Sequence, residues 1–363
     1  MKRTSYFEED LMNQKIFYGV DLIKVIAILS VVSVHFLLNT DFYNSPIIGT
    51  SLTLQVFWRQ LFIVCVPLFL IATGFLQWKK EWNKKYFKSV LNVIYIYLVL
   101  SVVIILARAL YFGEERTILE WIQSVFEFKG IRYAWYVEMY IGLALLIPFL
   151  NNIWKAFKTK KEFQVFLLIL IFTTSVPGFW NVFNNDIPYL SVIEFPDFWM
   201  RLYPITFYFL GVYIRKHGLS ISPMRSFFMF LIVTSIETAI ICIKSGDGTI
   251  VNAVGGYHSI LIVVQSVFLF AAFYKMEAPV SKIGKVMSIP ITSISVLTLD
   301  IYLASAITDK FVYQYFYEHF FTTQKYAILY APLCVISSFV LAYSIALLRH
   351  RLLPLKRRNK TGK

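Results

Sequence analysis

Three ionisable side chains in the first apolar segment of the chain are the residues best suited to chemistry. Asp21, Lys24 and His35 interrupt the run FYGVDLIKVIAILSVVSVHFLL. Lys24 and His35 are eleven residues apart, which on an α-helix is about 20° past three full turns, and Asp21 lies within about 40° of the same line. A charge inside a bilayer is costly, so such a stripe faces protein or a water-filled cavity. We therefore expect these side chains to line a site.

Four further ionisable residues lie in other apolar segments at a comparable predicted depth, namely Arg59, Glu138, Glu237 and Asp300. A carboxylate among them can pair with Arg59 or orient an imidazole, and an oriented imidazole is an effective general base. For each of these residues the alternative is a structural ion pair or a side chain that reaches the membrane interface. For His35 the alternative is a hydrogen-bonded structural histidine.

Several other kinds of site are not indicated. The five histidines are scattered without an HxxxH or HExxH pair, which argues against a metal site. The chain has no GxGxxG or GxxxxGK[ST] loop, which argues against an ATP-driven pump. Cys65, Cys242 and Cys334 lie in apolar runs without paired spacing, so neither a disulfide framework nor a zinc site is predicted.

The composition predicts an integral membrane protein. Hydrophobic residues make up 58% of the 363 residues and charged residues only 15%, whereas soluble domains carry about 25% charged residues. This excludes a cytosolic enzyme, a secreted disulfide scaffold and a disordered chain. A span needs about 20 apolar residues. Ten segments approach this requirement: 17–38, 55–77, 89–112, 132–153, 163–179, 201–214, 226–244, 258–274, 288–313 and 326–348.

The distribution of basic residues predicts the orientation. With ten spans, 25 of the 35 Lys and Arg residues fall in segments on the same side as the termini, and such segments are cytoplasmic. The fold predicted is an all-α, polytopic helical bundle of about ten transmembrane helices with both termini cytoplasmic. It comprises an N-terminal segment (1–16), a membrane domain (17–348) and a basic tail (349–363). The formal charge of +14 then serves contacts with anionic lipid, and no nucleic-acid partner is expected.

Five segments, in order along the chain, resemble motifs of the acyltransferase-3 family of membrane acyltransferases. VDLIKVIAILSVVSVHF contains the family's basic residue, ten positions and a histidine, here Lys24 and His35. RQLFIVCVPLFLIATGFL resembles its VPLFF…SGF span, with Thr73-Gly74 in place of Ser-Gly. The other three segments are WYVEMYIGLALLIPFL (135–150), FYFLGVYI (207–214) and TLDIYLAS (298–305).

The chain also departs from the family pattern. Ser89 and Asn92 occupy the positions of an RxxR pair, and we expect Lys85 and Lys88, one turn earlier, to supply the basic patch instead. Ser305 replaces a late histidine, Asp300 replaces a glycine, and Glu138 stands where an aromatic residue is common.

The resemblance implies transfer of an acyl group, usually acetyl, from cytosolic acetyl-coenzyme A to a sugar hydroxyl of a surface or exported polysaccharide or lipid-linked saccharide. The composition, rich in Lys, Ile and Asn and without predicted disulfides, favours a bacterial plasma membrane as the location, and the scattered histidines predict no metal. His35 is then the general base, and Glu138 or another intramembrane carboxylate orients it. Arg59 is the group that stabilises an oxyanion or binds the glycan. The remaining candidates divide between donor binding (Lys24, Asp21, Lys85, Lys88) and acceptor binding (Trp135, Tyr136, Asp300, Glu237).

Two other classes of function remain open from the sequence. A transporter or flippase for polysaccharide or lipid-linked sugar also has many spans and an internal polar stripe, but no duplicated half is visible here. A non-catalytic scaffold of a glycan-assembly complex would tolerate changes at Lys24 and His35.

Overall fold

The computed structural model describes residues 17–183, 191–279 and 282–354, and these form an all-helical bundle. The predicted segment 1–16 lies outside the described residues, and residues 349–352 of the predicted tail still belong to the last helix. The helices are α1 (Tyr18–Leu38), α2 (Gly49–Phe62), α3 (Cys65–Gln77), α4 (Lys84–Leu110), α5 (Ile118–Phe126), α6 (Trp135–Ala156), α7 (Lys160–Trp180), α8 (Asp197–Met200), α9 (Tyr203–His217), α10 (Pro223–Ser245), α11 (Ile260–Phe273), α12 (Lys282–Val296), α13 (Thr298–His319) and α14 (Gln324–Leu352).

The all-α membrane fold is confirmed, whereas the count of ten spans and their orientation stay predictions. By length and composition, the described residues contain 7 helices that can cross a membrane, with α2 and α3 counted together as one helix over Gly49–Gln77. The count is up to 8 if the bent pair α12–α13 is also one span. Two predicted spans correspond to shorter helices, α9 with 15 residues and α11 with 14. A helix that crosses the hydrocarbon core perpendicularly needs about 20 residues.

The second span is broken between α2 and α3, next to Pro67. A proline has no backbone N–H, and its ring clashes with the carbonyl four residues earlier, here that of Ile63. The helix therefore ends at Phe62 and restarts at Cys65, although Leu68 still donates to the Val64 carbonyl over 2.9 Å. The break separates the VPLF motif from the half of the span that carries Arg59.

A sharper break separates α12 from α13, whose axes meet at 78°. A helix end leaves carbonyl groups without intrahelical partners. Here Lys24 of α1 is the hydrogen-bond partner of one such carbonyl. Its Nζ donates to the Ser295 carbonyl at 2.5 Å and to the Ser295 hydroxyl at 2.9 Å. The Ser295 hydroxyl in turn donates to Asp21. The polar stripe of α1 therefore holds the end of α12.

Helix α1 lies at the centre of the bundle. It packs against α2, α3, α11, α12, α13 and α14, and 72% of its apolar window is buried within the protein. The stripe of Asp21, Lys24 and His35 faces the α12–α13 pair, since the first two contact Ser295 and His35 contacts Asp309. The expectation that this stripe faces protein is confirmed.

Two motif glycines allow α3 and α9 to pack at very short distance. A Cβ on Gly74 would meet the carbonyl oxygen of Tyr208, and a Cβ on Gly211 would meet that of Ile71 and lie 2.8 Å from the Phe75 nitrogen. These neighbours are backbone atoms, which cannot rotate away. Small residues serve the same purpose at many membrane helix interfaces.

We expect Gly211→Ala to lower the melting temperature of the detergent-solubilised protein, because overpacking costs about 1–3 kcal/mol. Gly142→Ala is the matched control, because Gly142 is also helical and a Cβ there meets nothing within 4 Å. Thermal unfolding followed by circular dichroism measures both variants. Equal melting temperatures for the two would contradict the close-packing argument.

Candidate active site

His35 is held by a buried carboxylate, Asp309 of α13. Nδ1 of His35 lies 2.9 Å from Oδ2 of Asp309. Asp309 is fully buried, while His35 keeps 7% of its surface exposed. This geometry favours the tautomer in which Nδ1–H donates to the carboxylate, which leaves the lone pair on Nε2. Among the described residues, Nε2 has no hydrogen-bond partner, so it is available to take a proton from a substrate.

Neighbouring side chains fix both members of this pair. The Ser338 hydroxyl of α14 donates to the other oxygen of Asp309 at 2.5 Å, and Thr308 lies 2.9 Å from that hydroxyl. The imidazole stacks on the ring of Tyr133 at a centroid distance of 3.6 Å. Because a carboxylate with both oxygens bonded and a stacked ring have little freedom, His35 is preorganised for a proton transfer.

One cavity, here called the Lys24 cavity, lies between α1, α3, α4, α6 and the start of α13. It has a volume of about 240 Å³. Of the described residues that line it, Lys24 alone is charged. The other polar groups come from Thr73, Gln77, Tyr136, Tyr140, Thr298 and Tyr302. The Tyr302 ring centroid lies 6.4 Å from that of His35. The cavity therefore extends from the Lys24–Ser295 contact toward the histidine.

A second, more polar cavity lies further along α13, around the turn that carries Asp309, and we call it the Arg132 cavity. Its volume is about 630 Å³, and its charged lining residues are Arg108, Glu114, Lys129, Arg132 and Lys310. Asn39 also lines it and donates to the His35 carbonyl at 2.7 Å and to the Tyr133 hydroxyl at 2.7 Å. Residues beside the histidine thus line both an aromatic cavity and a basic one.

Glu114 remains ionised in the Arg132 cavity because of Arg108. The guanidinium of Arg108 lies 2.6 Å from one carboxylate oxygen of Glu114. Hydrogen bonds from this guanidinium hold the pKa of Glu114 below its usual range.

The predicted role of Glu138 in orienting His35 is corrected by the structure. Glu138 is exposed in the first turn of α6, and Asp309 makes the contact that was assigned to it. In the same helix turn, Trp135 is exposed and stacks on Tyr257 at 5.8 Å. Tyr136 is buried, lines the Lys24 cavity and contacts Tyr302 edge-on at 5.5 Å.

Lys85 and Lys88 are exposed near the start of α4 and do not line the Lys24 cavity. Their helix reaches that cavity through Val93, about 1.4 turns after Lys88 and about 2.2 turns after Lys85. Both lysines therefore lie on the surface beside the same helix that forms one cavity wall.

Arg59 and Glu237 belong to a separate buried cluster. Arg59 donates to the Tyr43 hydroxyl at 3.0 Å and to Gln60 at 2.5 Å. Gln60 in turn donates to Glu237 at 3.1 Å. Neither charged residue lines the two cavities beside His35. The placement of Arg59 at the reacting centre and of Glu237 at the acceptor is therefore not supported by the geometry.

Asp300 forms a structural ion pair rather than part of a cavity wall. It lies in the first turn of α13, directly after the break from α12, and Nε of Arg349 donates to it at 2.5 Å. Both side chains are almost fully buried. Removing one partner of a buried pair leaves an uncompensated charge, so the pair stabilises the contact of α13 with α14.

Sequence reasoning missed Asp309, although a signal for it existed. Asp309 lies within the predicted span 288–313 and so met the same criterion as Asp300, an ionisable group in an apolar segment. Ser338, Tyr133, Asn39 and Arg132 carry no comparable signal, since hydroxyls, amides and loop arginines are common in such chains. Their role depends on which helices become neighbours.

Comparison with known proteins identifies the class. The family profile described as an acyltransferase domain matches residues 17–347, so the chain belongs to the acyltransferase-3 family. Comparisons with curated proteins and with solved structures returned no match. The protein is therefore a membrane acyltransferase, and its specific donor and acceptor are inferred below.

We expect Asp309→Asn to lower the rate of acyl transfer by about two orders of magnitude, because an amide does not fix the imidazole tautomer or stabilise its protonated form. Glu138→Gln is the matched control and should change the rate less than about twofold, since an exposed carboxylate contributes little. Rates are measured on purified protein whose melting temperature is unchanged. An inactive Glu138→Gln with an active Asp309→Asn would reverse the assignment.

Proposed function

We propose that this protein transfers an acetyl group from cytosolic acetyl-coenzyme A to a sugar hydroxyl of a surface or exported polysaccharide, in a bacterial plasma membrane. The observation that carries the proposal is the position of His35. Its Nδ1 contacts Asp309, and its Nε2 has no partner among the described residues. Tyr302, which lines the Lys24 cavity, and Asn39, which lines the Arg132 cavity, both lie beside it.

The reaction assigns one proton to Nε2 of His35. This nitrogen takes the proton of the sugar hydroxyl as the oxygen attacks the thioester carbonyl, and the C–O bond forms. When the tetrahedral intermediate collapses, the C–S bond breaks and the imidazolium returns the proton to the departing thiolate. The products are a sugar ester and coenzyme A. The Asp309 carboxylate stabilises the imidazolium during the interval in which it carries the proton.

The Lys24 cavity suits the acyl end of the donor. A volume of about 240 Å³ accommodates a thioester arm but not a nucleotide, so the phosphates remain at the surface. Lys85 and Lys88 at the start of α4 are exposed there and are suited to charge-assisted contacts with phosphate oxygens. Under this assignment Tyr136 contacts the donor rather than the acceptor.

The Arg132 cavity suits the acceptor. Its volume of about 630 Å³ lies within the range of roughly 300–1,000 Å³ that small-molecule sites occupy, and polar and charged groups predominate in its lining. The orientation predicted from the positive-inside distribution puts this cavity at the outer face, which supports access for an exported saccharide.

His35→Ala should abolish O-acylation of the surface polysaccharide while membrane insertion persists. The measurement is the O-acyl signal in proton NMR spectra of polysaccharide from cells that carry the wild type, a deletion or the variant. His319→Ala is the matched control, because His319 is an exposed histidine of the same helix as Asp309 and stacks on Tyr315 at 4.5 Å. It should retain the wild-type signal.

The same spectra distinguish the alternative functions. A deletion that leaves the acyl content of each repeat unchanged but reduces the amount of surface glycan would indicate transport and would refute the proposal. A deletion that removes acylation, combined with a fully active His35→Ala protein, would refute the general-base role of His35 alone.

Lys24→Met should raise the KM for acetyl-coenzyme A about tenfold, because a buried charge-assisted contact contributes about 1.5–3 kcal/mol. Lys24→Arg should restore part of the affinity if charge is what the donor requires. Lys161→Met, a change at an exposed lysine of the α6–α7 region, is the control. Because Lys24 also holds Ser295, each variant is compared at equal folded fraction. An unchanged KM in Lys24→Met would exclude Lys24 from donor binding.

A further inference from the structure

The Arg132 cavity gathers cationic side chains from parts of the chain that are otherwise poor in them. Arg108 at the end of α4, Lys129 and Arg132 in the α5–α6 loop, and Lys310 of α13 all line it. Segments on the predicted outer face hold few basic residues. Convergence of four such residues on one cavity therefore requires a specific explanation.

The acidic side chains nearby do not neutralise this group. Glu114 contacts Arg108 at 2.6 Å and Lys310 at 3.5 Å, and Glu127 contacts Lys129 at 2.8 Å. Glu138 also interacts electrostatically with Lys129. Three carboxylates against four cations leave a formal charge of one positive unit.

Arg132 in particular has only neutral partners among the described residues. It donates to the Asn39 side chain at 2.9 Å and to the Leu38 carbonyl at 3.4 Å. No described carboxylate therefore pairs with this charge, and Arg132 lines the cavity.

Two of these cations, Arg132 and Lys310, are neighbours in sequence of the residues that contact His35. Arg132 directly precedes Tyr133, on which His35 stacks, and Lys310 directly follows Asp309, which orients His35. Asn39 bridges Arg132 to the His35 carbonyl. An anion bound by Arg132 and Lys310 would therefore be positioned relative to Nε2 by the same side chains that position the imidazole.

We infer that the acceptor is an anionic saccharide, whose carboxylate or phosphodiester group binds Arg132 and Lys310 while one of its hydroxyls reaches Nε2 of His35. This inference rests on the proposed function and deepens it, because it specifies the chemical class of the acceptor. Planar guanidinium groups bind carboxylate and phosphate through two parallel hydrogen bonds. A neutral glycan has no anionic group to pair with the positive charge of the cavity.

The first test measures binding without chemistry. The full chain carrying His35→Ala, in phosphatidylcholine nanodiscs, is titrated by calorimetry with tri-galacturonate, a glycerol-phosphate trimer and neutral galactotriose. At least one anionic probe should bind about tenfold more tightly than galactotriose, and the preference should decline as salt screens the exposed charges. Equal affinities for all three probes would overturn the inference.

The second test uses substitutions. In the His35→Ala background, Arg132→Gln with Lys310→Gln should remove the preference for the anionic probe. The control is Arg201→Gln with Lys325→Gln, which changes two exposed basic residues away from the cavity on the same predicted face. It should leave the preference intact. A preference that survives the first pair, or is lost equally in the control pair, would overturn the inference.

Two further arms separate the remaining outcomes. Phosphatidylglycerol nanodiscs test whether a lipid headgroup occupies the cavity. Loss of probe binding in these nanodiscs would indicate that the ligand of the cavity is an anionic lipid, and would overturn the inference of a saccharide. Acyl transfer by the otherwise wild-type chain tests the proposed function separately. Anion binding that depends on Arg132 but yields no ester would refute the function and retain the site. Equal ester formation on neutral and anionic probes would refute the inference and retain the function.

Discussion

The contact between His35 and Asp309 is the constraint on which the rest of the structure depends. An isolated charge at this depth costs at least several kcal/mol, so the two side chains must meet and their helices must be adjacent. A second contact, from Asp21 and Lys24 to Ser295, lies near the other end of α1. Two polar contacts some distance apart fix not only which helices pair but also their relative register.

The broken helix α12–α13 follows from the same constraint. A continuous helix through Leu297 would use the Ser295 carbonyl for its own hydrogen bond and leave Lys24 only the Ser295 hydroxyl. The 78° bend exposes the Ser295 carbonyl, which Lys24 binds. The bend also directs the first turn of α13 along the Lys24 cavity, which Thr298, Leu299 and Tyr302 line. The residue that stabilises the break is therefore the same residue that supplies the charge of the cavity.

How much the sequence could predict depends on the range of each interaction. The helices, their approximate limits and the direction of the α1 stripe follow from apolar runs and helical periodicity, which are local. The partner of His35 does not, because Asp309 is 274 residues away and only packing brings it close. The predicted depth in the membrane favours Glu138 as the carboxylate that orients His35. Depth, however, does not indicate on which face of its helix a side chain lies. Arg59 and Glu237 met the same criterion of depth but pack into another cluster.

The spacing of the two cavities bears on the choice between transfer and transport. Along α13, Tyr302 is the last residue that lines the Lys24 cavity, and Ala306 is the first that lines the Arg132 cavity. These positions are one turn apart, or about 6 Å. Tyr136 and Tyr302 line the Lys24 cavity, and Tyr302 donates to the carbonyl of Tyr133. The Tyr133 hydroxyl accepts from Asn39, which lines the Arg132 cavity. We call these three rings the wall between the two cavities.

An acyl group of two carbons needs to cross only this wall to pass from a donor in one cavity to an acceptor in the other. A polysaccharide would need the wall to open, which would separate Tyr133 from the imidazole that stacks on it. Proton transfer requires these three rings to stay in place beside His35, whereas passage of a polymer requires them to move apart. The contacts of His35 with Asp309 and with the ring of Tyr133 hold the rings in place, as proton transfer requires.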